Sequence, residues 1–372
     1  MPLVNFSNID FDQIKVSIRD YLKANSNFTD YDFEGSNLST IIDTLAYNTY
    51  ISSYNANMVS NEVFIDSATL RENIVSLARN IGYVPRSRKS ATATISFEVN
   101  VGSNNVSTIT LKPGIVATSS LLFGKTSYVF SVLEETKATV SSGGIAVFQD
   151  VPIYEGTFVK QSFTVSSRTP NQRYVLTNTG IDTSLLKVIV KRDESSTVSR
   201  VFRKFNSLYE INSETPAYFL QEVENERYEL LFGDGIFGMK LSEEDLSYIE
   251  ATYIVSSGES GNNVSEFSFA GQLTDQNGDP VTTGISVIST EIASYGGSSI
   301  ESVESVKKYS TQIFSSKNRA VTASDYEAII PQIYPETESV SAYGGETLDP
   351  PAYGRVFISV KPYNGTHLSS SI

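Results

Sequence analysis

The sequence has no cysteine and no tryptophan, and it has one histidine, His367, among its 372 residues. The lack of cysteine excludes a disulfide framework and thiolate metal sites, and nothing indicates export into an oxidising compartment. No second histidine or carboxylate is spaced to join His367 in a metal site or a catalytic triad. We therefore expect His367 to be a solvent-exposed residue of a protein that assembles in the cytosol.

Positive charge is scarce as well, with 28 Lys and Arg against 42 Asp and Glu, a net charge of −14. This excess of negative charge disfavours nucleic acid and anionic membranes as partners. No apolar run approaches the roughly 18–20 residues that a membrane span requires. The 21 tyrosines combine a large apolar ring with a polar group, which suits surfaces that become buried on assembly. We therefore expect the partners to be proteins.

The most regular pattern in the chain predicts a long helix that starts with N-cap oxygens from Ser36 and Asn37 and has no Gly or Pro before Gly82. Its apolar residues fall on two roughly opposite sides. One stripe contains Leu38, Ile41, Ile42, Leu45 and Thr49, and the other contains Tyr47, Tyr50, Ile51, Tyr54 and Met58. Burying one large apolar side chain contributes about 1.5–3 kcal/mol, so the second stripe is expected to have a partner.

Two shorter helices are predicted beside the long one, over Phe11–Leu22 and Leu70–Ile81. The second of them is expected to start with a capping box at Thr69–Glu72 and to stop at Gly82. Together they would cover one stripe well and the other in part. Two interpretations remain open: the long helix is the centre of an intramolecular bundle, or its second stripe forms an intermolecular bundle.

After Arg86–Ser90 the hydrophobic period changes from about 3.6 to 2, which predicts a domain boundary followed by half-exposed antiparallel strands. Clear alternation occurs at Thr92–Val101, Tyr128–Val132, Phe158–Val165, Lys187–Val190 and Tyr218–Val223. After Tyr295 two helices are predicted, the second capped by Thr322–Asp325 and carrying apolar residues up to Pro331, followed by strands near Ser339–Tyr343 and Arg355–Val360.

These patterns predict a multidomain α+β protein. It would comprise a helical bundle segment at 1–88, a mainly antiparallel β domain at 89–295 and an α+β module at 296–372. The last module offers only two strands, which are marginal in water without further cover. We therefore expect either a natural protein longer than these residues or another chain that completes the module.

The six residues from Gly233 to Gly238 spell the G-x-G-x-x-G pattern of a dinucleotide-binding turn. That turn requires a helix immediately afterwards, whereas Met239–Ser242 and the flanking segments are typical of strands. We predict instead a structural turn formed by Gly233, Asp234, Gly235 and Gly238: a β-hairpin with a primed turn in which Gly235 has positive φ. No nucleotide cofactor is expected.

Other candidate sites are weaker. Asp275–Pro280 resembles a calcium loop but lacks the alternating ligands and the distal glutamate. The carboxylate groups at Glu134-Glu135 and Glu243–Asp245 do not lie in an apolar stretch that would separate their pKa values. No catalytic residue, metal or cofactor is predicted, and the chain is not expected to be an enzyme.

Three segments resemble known phage proteins. YDFEGSNLSTIIDTLAYNTY at Tyr31–Tyr50, with NIGYVPRS at Asn80–Ser87, resembles the N-terminal region of the baseplate wedge proteins of contractile-tailed (myovirus) phages. YELLFGDGIFGMKL at Tyr228–Leu241, together with GGSSIESVESVKKYSTQIFSSKNRAVTASDYEAII at Gly296–Ile330, resembles the signatures of the wider baseplate-J-like family. The β-rich insert at about 98–225 carries no signature of either group.

The resemblance implies a structural role in the virion tail baseplate, assembled in the host cytoplasm. Two copies would associate with a helix of a longer wedge protein, and wedges would join into a ring around the hub, in contact with other wedge and hub-proximal proteins. The implied partner interface contains Leu38, Ile41, Leu45, Tyr47, Tyr50, Tyr54 and Met58 on the long helix, and Asn318, Arg319, Thr322, Asp325 and Tyr326 in a copy-to-copy contact. Thr322 and Asp325 have a local alternative, since they can simply cap a helix.

Two functions from other classes remain as alternatives. A receptor-binding module would carry exposed aromatic residues on loops, whereas this chain concentrates them on a helix. A tail-associated glycan hydrolase would need a pair of carboxyl groups in a cleft, which the sequence does not display.

Overall fold

A computed structural model describes residues 10–24, 37–102, 106–119, 127–166, 168–169, 172–205, 211–317, 319–334 and 337–362. The residues predicted above at Ser36, Asn318 and His367 lie outside these ranges. The chain forms two compact units: Met1–Tyr83 with Val303–Thr311, and Val84–Ser302 with Gln312–Ile372. The α+β class is confirmed, with helices first, antiparallel sheets in the middle and a helix with two strands at the end. The division at 1–88, 89–295 and 296–372 stays a prediction.

The first unit is helical. Its helices are α1 (Phe11–Ala24), α2 (Asn37–Glu62), α3 (Arg71–Asn80) and the first turns of α4 (Val303–Ser316). The uninterrupted 3.6-residue period of α2, free of Gly and Pro, accounts for its 26 residues. Ile14 of α1 and Ile42 and Ala46 of α2 are buried, and Lys15 of α1 forms an ion pair with Asp43 of α2. The unit is therefore assembled from two pieces of chain that are far apart in sequence.

The turn between α2 and α3 is organised by Glu62, and here the predicted capping box at Thr69–Glu72 is wrong. Leu70 is the N-cap residue of α3 and makes no side-chain cap. Glu62 Oε1 instead accepts hydrogen bonds from the Thr69 N–H at 2.8 Å and the Thr69 hydroxyl at 2.6 Å, and Oε2 accepts from Asn73 Nδ2 at 2.7 Å. A charged acceptor forms stronger hydrogen bonds than a neutral one, which explains why the Thr69 hydroxyl donates to Glu62.

The β-strands occupy most of the second unit. They are β1 (Thr92–Asn100), β2 (Thr108–Leu111), β3 (Gly114–Ser119), β4 (Val129–Val132), β5 (Thr136–Thr139), β6 (Ile145–Glu155), β7 (Thr157–Thr164), β8 (Tyr174–Val175), β9 (Ile181–Lys191), β10 (Ser199–Lys204), β11 (Ala217–Val223), β12 (Arg227–Phe232), β13 (Tyr248–Val255), β14 (Phe267–Phe269), β15 (Leu273–Asp275), β16 (Pro280–Val281), β17 (Ser289–Tyr295), β18 (Thr337–Gly344) and β19 (Val356–Pro362). The alternating runs predicted from the sequence fall on β1, β4, β7, β9 and β11.

Four sheets are formed by these strands. Their orders are β14-β3-β4-β6-β1-β17, β16-β15-β2-β5, β7-β13-β9-β10-β11-β12-β8 and β18-β19. The pairs are antiparallel, as predicted, with one departure: β10 and β11 run parallel, with Arg203 opposite Ala217. Parallel neighbours require a crossover connection, and no local sequence signal marks this one.

Two clusters of buried apolar side chains hold the β region together. The first is shared by the six-stranded and four-stranded sheets and includes a stacked pair, Phe97 and Phe148, with ring centroids 4.7 Å apart. The second lies within the seven-stranded sheet around Tyr218 and Tyr228. Burial raises the pKa of Tyr218 to about 12. The three larger sheets therefore contribute a face to a core, which is what a two-residue period predicts.

The segments that enter and leave the β region run side by side, and we call this pair the neck (residues 86–90 and 297–301). The N–H of Lys89 donates to the Ser298 carbonyl at 3.0 Å, and the Ser298 N–H returns a bond to Lys89 at 3.0 Å. The buried carboxylate of Glu301 accepts the Arg86 N–H at 2.9 Å. The neck is closed by both main-chain and side-chain hydrogen bonds.

The last part of the second unit contains α5 (Ala323–Ile333) packed on the β18-β19 hairpin. The predicted cap is confirmed, because Thr322 and Asp325 form a reciprocal capping box. The helix continues two residues beyond Pro331, since a proline near a C-terminus removes only one hydrogen bond from the ladder. Tyr343 and Phe357 stack across the hairpin with centroids 5.8 Å apart.

We predict that Glu62→Ala lowers the free energy of unfolding of the helical unit by about 1 kcal/mol, the usual loss for a helix cap. Burial acts to raise the pKa of Glu62, but the hydrogen bonds from Thr69, Asn73 and the Leu70 N–H lower it below 4.5. A lowered pKa stabilises the fold above about pH 4.5, and this contribution is lost as the pH falls through the folded-state pKa. Urea unfolding at pH 7 and pH 3.5 checks this, with the exposed Glu194→Ala as control. Equal losses for both variants would contradict it.

Candidate assembly surfaces

Helix α2 is the element whose sequence pattern predicted a partner. Its buried positions are Ser39, Ile42, Ala46 and Asn61. Both predicted stripes stay largely in solvent: Ile41 is 53% exposed and Tyr54 57%, and Leu45, Thr49, Tyr47, Tyr50, Ile51 and Met58 are also exposed, while Leu38 is half-buried. The expectation that the short helices cover one stripe well and the other in part is therefore wrong.

The physical reason lies in the small residues of α2. At about 100° per residue, Ser39 and Ala46 form a narrow buried ridge beside the first stripe, together with Ile42, the one member of that stripe that is buried. Small side chains allow another element to approach closely, so the ridge is covered while the larger side chains on either side of it project outward. The described part of the helical unit thus leaves one apolar stripe exposed on each side of this ridge.

Sequence inspection missed the length of the first stripe. It continues from Ile41 and Leu45 through Ser52 and Ala56 to Val59, and Val63 follows just after the helix. Val59 and Val63 are exposed. The stripe could have been found from its spacing of three, four or seven residues, but the small residues Ser52 and Ala56 in its middle weaken the apolar pattern.

Charge is almost absent from α2. Asp43 and Glu62 are the two charged residues of the helix, and the 18 positions between them, Thr44 to Asn61, carry none. A solvent-facing helix normally carries charged side chains on its outer side. Helix α2 thus combines two exposed apolar stripes with this lack of charge, which is the surface type that marks an interaction site.

The Gly233–Gly238 segment forms a loop that differs from the predicted hairpin. Asp234 Oδ1 accepts hydrogen bonds from the N–H groups of Ile236 and Phe237, both at 2.8 Å. Because these two N–H groups bind the carboxylate, they cannot join a strand ladder, and Ile236 and Phe237 are not in a strand. A two-residue primed hairpin at Asp234-Gly235 is therefore wrong. The N–H of Gly235 closes the loop on the Gly238 carbonyl at 3.1 Å.

Glycine is required at several positions of this loop. Gly235 has a φ of 93° and Gly238 a φ of 92°, values that favour glycine. A Cβ atom on Gly233 would overlap the backbone of Gly238. No helix begins after Gly238: Lys240 forms a bridge to Gly233 and Ser242 one to Leu246. The helix N-terminus on which a dinucleotide pyrophosphate would bind is not formed here.

The predicted C-terminal interface residues lie at the start of α5. Arg319 is exposed and its N–H donates to the Ser316 carbonyl at 3.0 Å. The structure brings Thr322 and Asp325 together: the Thr322 N–H donates to Asp325 Oδ2 at 2.8 Å. Hydrogen bonds from the N–H groups of Thr322 and Val321 lower the pKa of Asp325. Tyr326 is half-buried. The cap accounts locally for Thr322 and Asp325.

Across the described ranges, no group of three or more His, Asp or Glu side chains is arranged to hold a metal ion. The carboxylate of Asp275 accepts from the N–H groups of Asn277 at 2.8 Å and Asp279 at 2.9 Å, so it closes its own turn. Of the helices described, none is both long and apolar enough to cross a membrane.

Comparison with known proteins gives two family matches. Residues 10–83 match the helical domain of baseplate wedge proteins that are gp6-like, and residues 322–372 match C-terminal domain I of the baseplate structural protein gp6. The first match ends at Tyr83, where the first chain segment of the helical unit also ends.

One curated protein and one solved structure are similar to the chain. The chain is 26% identical to baseplate wedge protein gp6 of Enterobacteria phage T4 over 97% of its own length, and it spans 55% of that relative. It also aligns with a chain of the anti-feeding prophage baseplate at 12% identity, over 94% of this chain and 64% of that one, with a TM-score of 0.31. A TM-score of this size carries no structural conclusion.

We predict that Gly235→Val destabilises the β region by about 1–2 kcal/mol, the cost of a left-handed conformation for a residue with a Cβ atom. Gly233→Ala should cost more, because its Cβ meets backbone. Gly143→Val is the matched control, since it lies in a turn outside the left-handed region with only Ser141 Oγ at 3.8 Å from its Cβ position. Thermal unfolding measures all three. An unchanged Tm for Gly235→Val, or a nucleotide bound at the loop, would refute the structural role.

Proposed function

We propose that the chain is a structural component of a contractile phage tail baseplate, a wedge protein of the gp6-like kind that its two family matches and its curated relative support. It would act in the virion, after assembly in the host cytoplasm, by joining wedge subunits into the ring around the hub. The curated relative carries the name of a baseplate wedge protein. The match covers 97% of this chain and 55% of that relative.

The observation that carries the proposal is the surface of α2. The predicted interface residues Leu38, Ile41, Leu45, Tyr47, Tyr50, Tyr54 and Met58 lie on the two sides of one charge-poor helix. Apolar area removed from water contributes about 25 cal/mol per Å², and large exposed apolar patches mark interaction sites. We propose that a second copy of this chain occupies one side and a helix of a longer wedge protein the other.

A second contact is proposed at the C-terminal module. Arg319 and Tyr326 lie at the start of α5, and Val321 and Ile333 are apolar residues of the same module that are more than three quarters exposed. These side chains would join copies of the chain in neighbouring wedges, with Thr322 and Asp325 holding the helix start in place. Other wedge and hub-proximal proteins complete the proposed set of partners, and neither nucleic acid nor membrane belongs to it.

We further propose that the chain performs no catalysis. A baseplate wedge relative supports this, as does the use of carboxylates for structural purposes: Glu62 and Asp325 fix helix starts, and Glu229 is held by Arg173 at 2.8 Å. A glycan hydrolase needs two carboxyl groups about 5–9.5 Å apart on either side of a sugar. Glu62, Asp325 and Glu229 are each held by hydrogen bonds within the chain, so none of them favours that arrangement.

The bundle is tested by Tyr54→Asp, which places a charge on the second stripe. If that stripe is buried between chains, the unpaired charge should weaken association by about 100-fold or more, equivalent to about 3 kcal/mol. The free chain should fold normally, because Tyr54 is 57% exposed. Co-expression with the other wedge proteins, followed by mass measurement of the complex, gives the result.

Asn55→Asp is the matched control, since it puts the same charge on the next residue of α2, which is exposed on the polar side of the helix. This variant should assemble like the wild type. Normal assembly of Tyr54→Asp would show that the second stripe stays in water and would contradict the bundle.

The absence of catalysis has its own test. Purified chain is incubated with peptidoglycan, capsular glycan and nucleoside triphosphates, and products are followed by mass spectrometry. We expect no turnover above the level of heat-unfolded protein. Turnover that a single Asp→Asn or Glu→Gln substitution abolishes would contradict the proposal.

A further inference from the structure

We propose that Ile236 and Phe237, which we call the apolar tip, form a preformed contact that inserts into an apolar pocket with a basic rim on a protein other than this chain. The inference uses one part of the proposed function, namely that the chain is incorporated into an assembled tail. The tip lies on the excursion between β12 and β13, far along the sequence from α2.

The first observation is exposure. Ile236 is 70% and Phe237 48% exposed, and they are adjacent in the chain. A connector between two strands needs only polar residues, and single exposed apolar side chains are common on protein surfaces. Two large ones side by side at the end of a loop are typical of an anchor that fills a partner's pocket.

The second observation is rigidity. Asp234 holds both tip residues through their N–H groups at 2.8 Å, and the loop is tied to its surroundings by the Gly238 N–H on the Asn212 carbonyl at 3.1 Å and the Met239 N–H on Thr215 at 2.8 Å. Gly238 is buried against Ile211 and Ala217. A loop that is already ordered loses little conformational entropy on binding, so the structure of this loop favours recognition.

The third observation is charge, and it selects the partner. The excursion from residue 233 to 247 carries Asp234, Glu243, Glu244 and Asp245 against Lys240, which gives 1 − 4 = −3. Hydrogen bonds from the N–H groups of Phe237 and Ile236 lower the pKa of Asp234, which keeps it ionised. Arg200, 3.2 Å from the Met239 sulfur, is a nearby cation, but the excursion itself stays negative.

A second copy of this chain is a poor occupant for the same reason. In a symmetric contact the acidic residues of the excursion would face the same residues of the second copy, and like charges brought together at an interface oppose association. A pocket lined by aliphatic or aromatic residues and bordered by Lys or Arg complements both the tip and its acidic surroundings. The partner is therefore identified as a basic-rimmed protein and not as a symmetric copy.

The test is a photo-crosslink in tails assembled with the full chain. Phe237→p-benzoylphenylalanine keeps an aromatic ring at the tip, and the same residue at Val287, which is 90% exposed, is the control position. We expect position 237 to cross-link at least about tenfold more than position 287 to a different protein, at a peptide with apolar and basic residues. A cross-link to another copy of this chain, or no excess over position 287, would overturn the inference.

A paired substitution provides a second readout. Ile236→Ser with Phe237→Ser should reduce incorporation into tails by about tenfold or more, as expected for loss of an anchor, while Val287→Ser should not. The melting temperature of the free double variant should stay close to that of the wild type, because Ile236 is 70% and Phe237 48% exposed in the free chain. Normal incorporation would overturn the inference. If the wild-type chain is absent from the tails, the proposed function is overturned as well. If the chain is present but gives no cross-link, only the inference about the apolar tip is overturned.

Discussion

The hydrogen bonds of the neck are the constraint on which the rest of the structure depends. The helical unit is made from residues before Tyr83 and from Val303–Thr311, so the chain must return to it after completing the β region. Pairing of Lys89 with Ser298, and of Arg86 with the buried Glu301, brings the exit of the β region beside its entrance. A buried carboxylate that lost this partner would be costly. The buried Val306 of α4 lies in the piece of chain that follows this return and belongs to the helical unit.

Local signals predicted the fold well. Periods of 3.6 and 2 identified the helices and the longer strands, and the capping box at Thr322 formed because its partner Asp325 is three residues away. The box at Thr69 failed because Glu62, seven residues earlier, binds the same hydroxyl. The hairpin at Gly235 failed in the same way, since Asp234 binds N–H groups that a ladder would use. The parallel pairing of β10 with β11 depends on a crossover connection that no local sequence signal predicts.

The apolar residues of the candidate assembly surface on α2 could be predicted from the sequence, but their exposure could not. Apolar residues on both sides of α2 could be read from spacing, and so could the expectation of a partner. The side of α2 that is covered could not be predicted from the sequence. It depends on the small residues Ser39 and Ala46, which carry little hydrophobic signal. The exposure of Ile236 and Phe237 was likewise invisible, since it follows from a carboxylate that holds their backbone. In both cases side-chain size or hydrogen bonding overrides the hydrophobic pattern.

The charge-free stretch of α2 between Asp43 and Glu62 has a consequence for the conditions under which its contacts persist. Dissolved ions weaken attraction between exposed charges, with a screening length of about 8 Å at physiological salt, but they have no such charges to screen here. Apolar contact instead gains strength on moderate warming. An interface built on this helix would therefore hold equally well in dilute and in salty surroundings, which would suit a particle that leaves the cell in which it was made.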